Sequence, residues 1–153
     1  MTEVLPSMPA IQRHTVDASV LLSAFNPMEA AHAESSQFLS ALRAAATPVV
    51  VPALIFPEVA ATISRALGDP TLALSFAEAL RNLPNLLVVA LDDVLSRLAE
   101  DTAARYRLRG SDAVYVAVAL RYGCSLVTLD REQQIRAPAS VQARTPGDAL
   151  AQT

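Results

Sequence analysis

The chain has 153 residues, of which 52% are hydrophobic and 18% charged, a length that suits one domain and a composition too apolar for disorder. All 12 basic residues are arginines, and the lack of lysine excludes Schiff-base and P-loop chemistry, which need an amine. The net charge of -3 gives no overall attraction to nucleic acid, so a polyanionic partner would need a local basic surface.

The single cysteine, Cys124, follows Gly123 among apolar residues and is predicted to pack in the core. Because it has no partner for an internal disulfide, a reducing compartment is expected. Residues 1–11 do not have the pattern of a signal peptide, and the longest uncharged run, Thr47–Pro57, is too short and proline-rich to cross a bilayer. We therefore predict a soluble, cytoplasmic protein without a membrane partner.

Along the chain, short apolar runs typical of strands alternate with longer helical patterns. Residues 1–10 are predicted to form a flexible arm, followed by a single domain over 11–153. The predicted strands are Gln12–Val16, Pro48–Val51, Leu86–Leu91, Ser125–Leu129 and Val141–Ala143. The predicted helices are Ser19–Phe25, Pro27–Ala45, Leu54–Leu67, Thr71–Leu83, Asp93–Tyr106, Ser111–Tyr122 and a short one near Arg131–Ile135. The middle strands show little alternation, as expected of strands covered on both faces.

This alternation predicts an α/β fold, a three-layer α/β/α sandwich around a short central parallel sheet. Ligands of such folds bind beyond the carboxyl ends of the strands. Four acidic residues lie at strand ends or helix starts: Asp17, Glu58, Asp112 and Asp130. Each alone also fits a helix cap or a first-turn charge that complements the helix dipole. As a set, they indicate a functional cluster.

Clustered carboxylates need compensation, because two of them roughly 4 Å apart repel by roughly 4 kcal/mol at an effective dielectric near ~20. Protons or a cation would supply it. Oxygen ligands alone suit Mg²⁺ or Mn²⁺, and zinc is disfavoured because His14 and His32 lie outside the set. Asp92 and Asp93 also follow a predicted strand, and Asp93 is interpreted as a helix N-cap.

Four segments resemble, in order and spacing, the motifs of PIN-domain nucleases, and above all those of VapC-like toxins, small ribonucleases of bacterial and archaeal toxin–antitoxin pairs. The segments are Val16-Asp17-Ala18-Ser19-Val20-Leu21-Leu22, Pro57-Glu58-Val59, Gly110-Ser111-Asp112-Ala113-Val114-Tyr115-Val116-Ala117-Val118-Ala119 and Leu126-Val127-Thr128-Leu129-Asp130. The resemblance covers about residues 12–150 and implies a PIN-like fold.

The same resemblance implies a Mg²⁺- or Mn²⁺-dependent endoribonuclease that hydrolyses RNA phosphodiester bonds. Its metal ligands and catalytic acids would be Asp17, Glu58, Asp112 and Asp130, the first and third being the most direct ligands. Ser19 and Thr128 match supporting positions, where a hydroxyl orients a carboxylate or a metal-bound water, although local cap or turn hydroxyls fit equally. The resemblance further implies a type II toxin that forms a homodimer and binds a cognate antitoxin.

The chain departs from the family where Arg131-Glu132-Gln133-Gln134 follows the last acid, a place where relatives often have an aromatic residue, and where about ten residues precede the first strand. Arginines lead up to the third acid and follow the fourth, and a basic rim there would guide an RNA backbone. The RNA-binding candidates are Arg105, Arg107, Arg109 and Arg131, with Arg136 a further one. An ordinary solvated helix end explains the first three equally well.

Two other interpretations stay open at this point. A receiver-like phosphoacceptor also gathers acids and Mg²⁺ at strand ends, although it needs a lysine after a late strand, which this chain lacks. A catalytically silent PIN-like domain that binds RNA or protein would keep the motifs without the reaction.

Overall fold

The computed structural model describes residues 12–152, so the predicted arm over residues 1–10 lies outside the described part. The strands are β1 (His14–Val16), β2 (Val49–Pro52), β3 (Leu86–Val89), β4 (Ser125–Val127) and β5 (Ala143–Arg144). The helices are α1 (Ala18–Phe25), α2 (His32–Ala44), α3 (Ile55–Leu67), α4 (Pro70–Arg81), α5 (Asp93–Tyr106), α6 (Gly110–Tyr122), α7 (Arg131–Arg136) and α8 (Pro146–Leu150).

The five strands form one sheet in the order β3-β2-β1-β4-β5, and every pairing is parallel. The chain moves outward from β1 to β2 to β3 through α1–α4 and returns through α5 and α6 to β4. Because parallel crossovers are right-handed, the outward and return helices cover opposite faces of the sheet. The predicted α/β sandwich around a short parallel sheet is confirmed.

The core is deepest where α6 packs on β1, β2 and β4. Residues 112–119 of this helix are all buried, and its three alanines, Ala113, Ala117 and Ala119, are at most 1% exposed. Small side chains let the helix axis approach the sheet closely. The helix is therefore held firmly, together with the acid in its first turn.

The expectation that the middle strands are covered on both faces is correct for β2, which is buried throughout, and wrong for β3. As the last strand of the sheet, β3 leaves Leu87 and Val88 about half exposed, at 54% and 43%. Leu67, which shares the apolar stripe of α3, also lies 56% exposed at the end of its helix. An apolar run alone does not distinguish a central strand from an edge strand.

Helix α2 begins at His32 rather than at the predicted Pro27. The side chain of Asn26 accepts a hydrogen bond from the Met28 N–H (3.0 Å), and its carbonyl accepts one from the Glu29 N–H (3.1 Å). These bonds form a local turn that competes with helix initiation. The five-residue α8, which the sequence pattern did not reveal, begins with Pro146 after the Thr145 cap.

Cys124 is buried and free, as predicted, and burial raises the pKa of its thiol. Buried thiolates are disfavoured, so this cysteine is a packing residue. Within residues 12–152, every helix is too short or too polar to span a lipid bilayer.

Candidate active site

The central strands β1 and β4 lie side by side, and their connections leave in opposite directions. Such a switch point opens a crevice beyond the carboxyl ends of the two strands. Asp17 follows β1 directly, its N–H bonded to the Val127 carbonyl of β4 (3.0 Å), and Asp130 lies three residues past the end of β4. Two of the predicted acids thus border this crevice.

The other two acids come from the first turns of helices. Glu58 lies in the first turn of α3, which follows β2, and Asp112 lies in the first turn of α6. The charges of Asp17 and Asp112 both raise the pKa of Glu58, and the charges of Asp130 and Asp17 raise that of Asp112. The structure therefore brings all four predicted acids into one electrostatically coupled cluster.

Burial is the largest influence on the pKa of three of these carboxyls. It raises the pKa of Asp17, Glu58 and Asp112, because a charged carboxylate loses hydration inside the protein. Hydrogen bonds from Ser19 and Thr128 oppose this effect at Asp17. The carboxylates are consequently held in a setting that favours an added positive charge.

Ser19 and Thr128 both contact Asp17. The Ser19 hydroxyl donates to Asp17 Oδ2 (2.7 Å) and accepts from the Leu129 N–H (3.1 Å). The Thr128 hydroxyl lies 2.9 Å from Asp17 Oδ2 and 2.6 Å from Gln133 Oε1, and its single proton serves one of them at a time. These bonds join the end of β1 to the end of β4.

Asp130 and Asp17 both occupy helix N-cap positions but differ in their capping bonds. Asp130 is a true N-cap, because its Oδ1 accepts from the Gln133 N–H (3.0 Å). Asp17 occupies the N-cap position of α1 without a side-chain capping bond. The relative exposure of Asp17 is 6%, and the backbone N–H groups of Ala18 and Ser19 at the start of α1 act to lower the pKa of its carboxyl.

A guanidinium joins two of the acids. Arg109 Nε donates to Asp112 Oδ2 (2.9 Å), and Arg109 Nη2 donates to Asp130 Oδ2 (2.7 Å). In residues 12–152, no group of three or more histidine, cysteine, aspartate or glutamate side chains is arranged to hold a metal ion. The cluster has the oxygen donors that a hard divalent cation prefers, while Arg109 supplies the countercharge.

Two further residues of the cluster were missed by sequence reasoning. Tyr115 is fully buried and donates its hydroxyl to Glu58 Oε1 (3.0 Å). Gln133, also fully buried, donates from Nε2 to the Asp112 carbonyl (3.3 Å). Both contacts form only in the folded chain. For Gln133 the sequence did offer one signal, because the segment after Asp130 departs from the aromatic residue that relatives often have there.

The Tyr115 hydroxyl favours the ionised form of Glu58, so its removal should raise the pKa of that carboxyl further. We expect Tyr115→Phe to move the titration of Glu58 to higher pH in carbon-detected NMR. Tyr122→Phe, at the far end of the same helix, is the control and should leave the titration unchanged. An unmoved Glu58 in Tyr115→Phe would show that the hydrogen bond has no influence on the carboxyl.

The remaining candidates lie elsewhere. Asp92, rather than the predicted Asp93, is the N-cap of α5, accepting from the Leu95 N–H (2.8 Å). Asp92 also pairs with Arg121 (3.4 Å), and Asp93 pairs with the exposed Arg97 (2.9 Å). Neither aspartate is linked to the acid cluster by a hydrogen bond or an ion pair in the described part of the chain.

The predicted arginine rim is divided. Arg105 is paired with Asp101 on the exposed side of α5 (2.8 Å). Arg107 ends α5 in a left-handed conformation (φ 56°), and its carbonyl accepts from Arg136 Nη1 (2.8 Å). Arg131, exposed at the start of α7, directly follows Asp130. Arg109 and Arg131 are thus the arginines beside the acids.

An apolar cavity of about 450 Å³ lies apart from the acids, lined by residues of α1, α2, α4, β2 and β3 that include Phe25, Leu39 and Phe76. None of the four acids lines this cavity. The chemistry that the carboxylates offer is therefore confined to the crevice at the carboxyl ends of β1 and β4.

The observed strand order also distinguishes the fold from a receiver-like one. Receiver-type sheets have the order 2-1-3-4-5, with β1 and β3 at the switch point. Here β4 lies next to β1, and β3 is at the edge. The arrangement gives no support to the phosphoacceptor interpretation.

Comparison with known families and solved structures also favours a fold other than the receiver-like one. The family model described as the PIN domain matches residues 15–138. No curated protein matches the sequence.

Several solved structures have the same fold. VapC20 of Mycobacterium tuberculosis, described as a sarcin-ricin loop cleaving toxin, is 21% identical with a TM-score of 0.68, over 84% of this chain and 98% of that one. VapBC2 of Rickettsia felis, solved bound to a DNA fragment from its promoter, is 12% identical with a TM-score of 0.67, over 88% and 98%. FitAcB of Neisseria gonorrhoeae is 15% identical with a TM-score of 0.68, over 87% and 97%.

Proposed function

Because this chain belongs to the PIN domain family, we propose that it is a Mg²⁺- or Mn²⁺-dependent endoribonuclease that hydrolyses RNA phosphodiester bonds. The observation that carries the proposal is the convergence of Asp17, Glu58, Asp112 and Asp130 from four separate turns onto one switch-point crevice. A purely structural role would not require four carboxylates, several of which repel one another, beside the core.

The four acids would supply oxygen ligands for the metal, and their side chains would have to close around it, because they are not yet arranged on an ion in the described part of the chain. When bound, a divalent ion lowers the pKa of its water and neutralises charge on the phosphate oxygens. Ser19 and Thr128 keep the Asp17 carboxylate oriented through its Oδ2, and Tyr115 does the same for Glu58 through Oε1. These bonds fix the carboxylates before substrate arrives, which limits reorganisation during the reaction.

RNA binding is assigned to the arginines beside the acids. Arg131 is exposed directly after Asp130, and the Arg109 side chain is 65% exposed while bridging two of the acids. Positive charge at this rim offsets the repulsion between the carboxylates and an incoming phosphate backbone. In the proposal, Arg105 and Arg107 contribute less to RNA binding, because Arg105 is paired with Asp101 and Arg107 is the C-cap residue of α5.

The biological role that we propose is the toxin of a type II toxin–antitoxin pair. Support comes from the structural neighbours, which include a sarcin-ricin loop cleaving toxin and toxin–antitoxin complexes from several bacteria. The expected partners are a cognate antitoxin protein and a second copy of this chain in a homodimer. The expected location is the cytoplasm, where RNA is available.

The test of the nuclease is cleavage of a panel of structured RNAs by the purified chain. We expect cleavage with Mg²⁺ or Mn²⁺, loss of cleavage in EDTA, and recovery when the metal is restored in excess. Cleavage that persists unchanged in EDTA would contradict metal dependence. Metal-loaded protein that binds RNA without cutting it would instead support the catalytically silent alternative.

The toxin role has its own readout in cells. Induced expression without any partner should arrest growth, and co-expression of a short neighbouring gene encoding an antitoxin should restore it. Harmless expression of a chain that is active in vitro would contradict the toxin role without affecting the nuclease assignment.

A further inference from the structure

The contacts of Arg109 differ from those of the other ion pairs described. Its guanidinium bridges two carboxylates from different elements, Asp112 of α6 and Asp130 at the start of α7. Those carboxylates are largely covered, with side-chain exposures of 12% and 25%, whereas Arg109 itself is 65% exposed. The arginine thus lies over the acids from the solvent side and is tied to both.

These bonds use the oxygens that a cation would need. Both Asp130 oxygens are engaged, Oδ1 by the Gln133 N–H and Oδ2 by Arg109, and Asp112 Oδ2 is engaged by Arg109 as well. A divalent ion and a guanidinium on the same carboxylates also repel each other. Arg109 therefore competes with a cation for the oxygens of Asp112 and Asp130.

We propose that Arg109 is an internal counter-ion that competes with the divalent cation, so that its release from Asp112 and Asp130 sets the affinity of the metal site. The proposal rests on the proposed metal-dependent function. In the metal-free protein, the bridging guanidinium offsets the repulsion between the two acids and keeps α6 and α7 together. When the cation binds, the largely exposed side chain of Arg109 moves away from the two carboxylates.

The sequence position of Arg109 suits this role. It is the N-cap residue of α6 and makes no side-chain capping bond, so its release breaks no helix cap. Asp130 keeps its own capping bond to Gln133 after Arg109 has left. The exchange of arginine for metal therefore leaves both helices intact.

The test is Mn²⁺ binding, measured by isothermal titration calorimetry on the wild type, Arg109→Gln and Arg97→Gln. Arg97 is the matched control, because it makes the same Nε to carboxylate contact of 2.9 Å with Asp93, away from the acid cluster. In the wild type, the metal must displace Arg109 from two partly exposed ion pairs, which lowers the metal affinity about tenfold. We therefore expect Arg109→Gln to bind Mn²⁺ about tenfold more tightly. Arg97→Gln should bind like the wild type.

A second measurement follows the guanidinium directly. In ¹⁵N-resolved NMR spectra, addition of Mg²⁺ should shift the Arg109 Nε–H signal, identified by its absence in Arg109→Gln, and leave the Arg97 signal in place. Equal Mn²⁺ affinities of the wild type and Arg109→Gln would overturn the role of Arg109 while leaving the metal site standing. Absence of Mn²⁺ binding in both proteins would overturn the metal site and this proposal together.

Discussion

Replacing Asp17 or Asp112 with asparagine is expected to lower the rate of metal-dependent RNA cleavage about a thousandfold, equivalent to roughly 4 kcal/mol in the activation barrier. Asparagine keeps the size of the side chain but removes the charge that binds the metal. Asp17 is the most enclosed carboxylate of the cluster, and the charge of Asp112 interacts with the charges of Asp17, Asp130 and Glu58. The measurement is single-turnover cleavage of a structured RNA.

The control for this comparison is Asp93→Asn. Asp93 follows β3 but pairs with Arg97 on the exposed side of α5, so its replacement should leave the cleavage rate unchanged. The same set of variants should separate in cells, with growth arrest lost for Asp17→Asn and Asp112→Asn only. Equal cleavage by the wild type and both cluster variants would show that the reaction occurs elsewhere on the molecule.

Asp17→Asn is also expected to stabilise the metal-free protein at neutral pH, by about 1–2 kcal/mol or roughly 3–6 °C in Tm. The wild-type carboxylate is buried, burial raises its pKa, and no cation offsets its charge in EDTA. Asparagine avoids the cost of burying that charge, and its side-chain oxygen still accepts from Ser19 and Thr128. Thermal unfolding in EDTA measures the difference.

The pH dependence of this difference has a definite sign. Because the folded-state pKa of Asp17 lies above its unfolded value, the folded protein binds the proton more tightly, and wild-type stability falls as pH rises through the folded-state pKa. The advantage of Asp17→Asn should therefore be full above that pKa and vanish below the unfolded value. Asp148→Asn, at an exposed position of α8, is the control for the substitution itself. A variant less stable than the wild type at neutral pH would contradict the expectation.

Much of this fold can be predicted from sequence because its periodic patterns are strong. The α5 boundaries agree at both ends, and α6 differs by one residue, since long periodic patterns of apolar residues leave little freedom. The start of α2 could not be predicted in this way, because the Asn26 turn is a local side-chain bond that competes with the helix. The edge position of β3 depends on strand order, which a run of apolar residues does not encode.

The candidate site also has a part that could be predicted from the sequence and a part that could not. The acids themselves could be predicted, because strand ends and helix starts are visible in the sequence and parallel strands bring their carboxyl ends together. The hydrogen bonds and ion pairs that hold these acids in place could not be predicted. Tyr115 and Glu58 are 57 residues apart, and Arg109 reaches Asp130 across 21 residues, so these bonds appear only when the chain is folded.

The pairing of β1 with β4 has a consequence for partly folded forms of the chain. Asp17 and Thr128 are 111 residues apart and meet only when these two strands pair. Pairing of β1 with β2 and β3 alone gathers two of the acids, Asp17 and Glu58. A chain in which β4 has detached, whether newly synthesised, heat-damaged or cut by a protease, therefore lacks a complete cluster. Under the proposed function, RNA cleavage therefore depends on the pairing of β4 with β1.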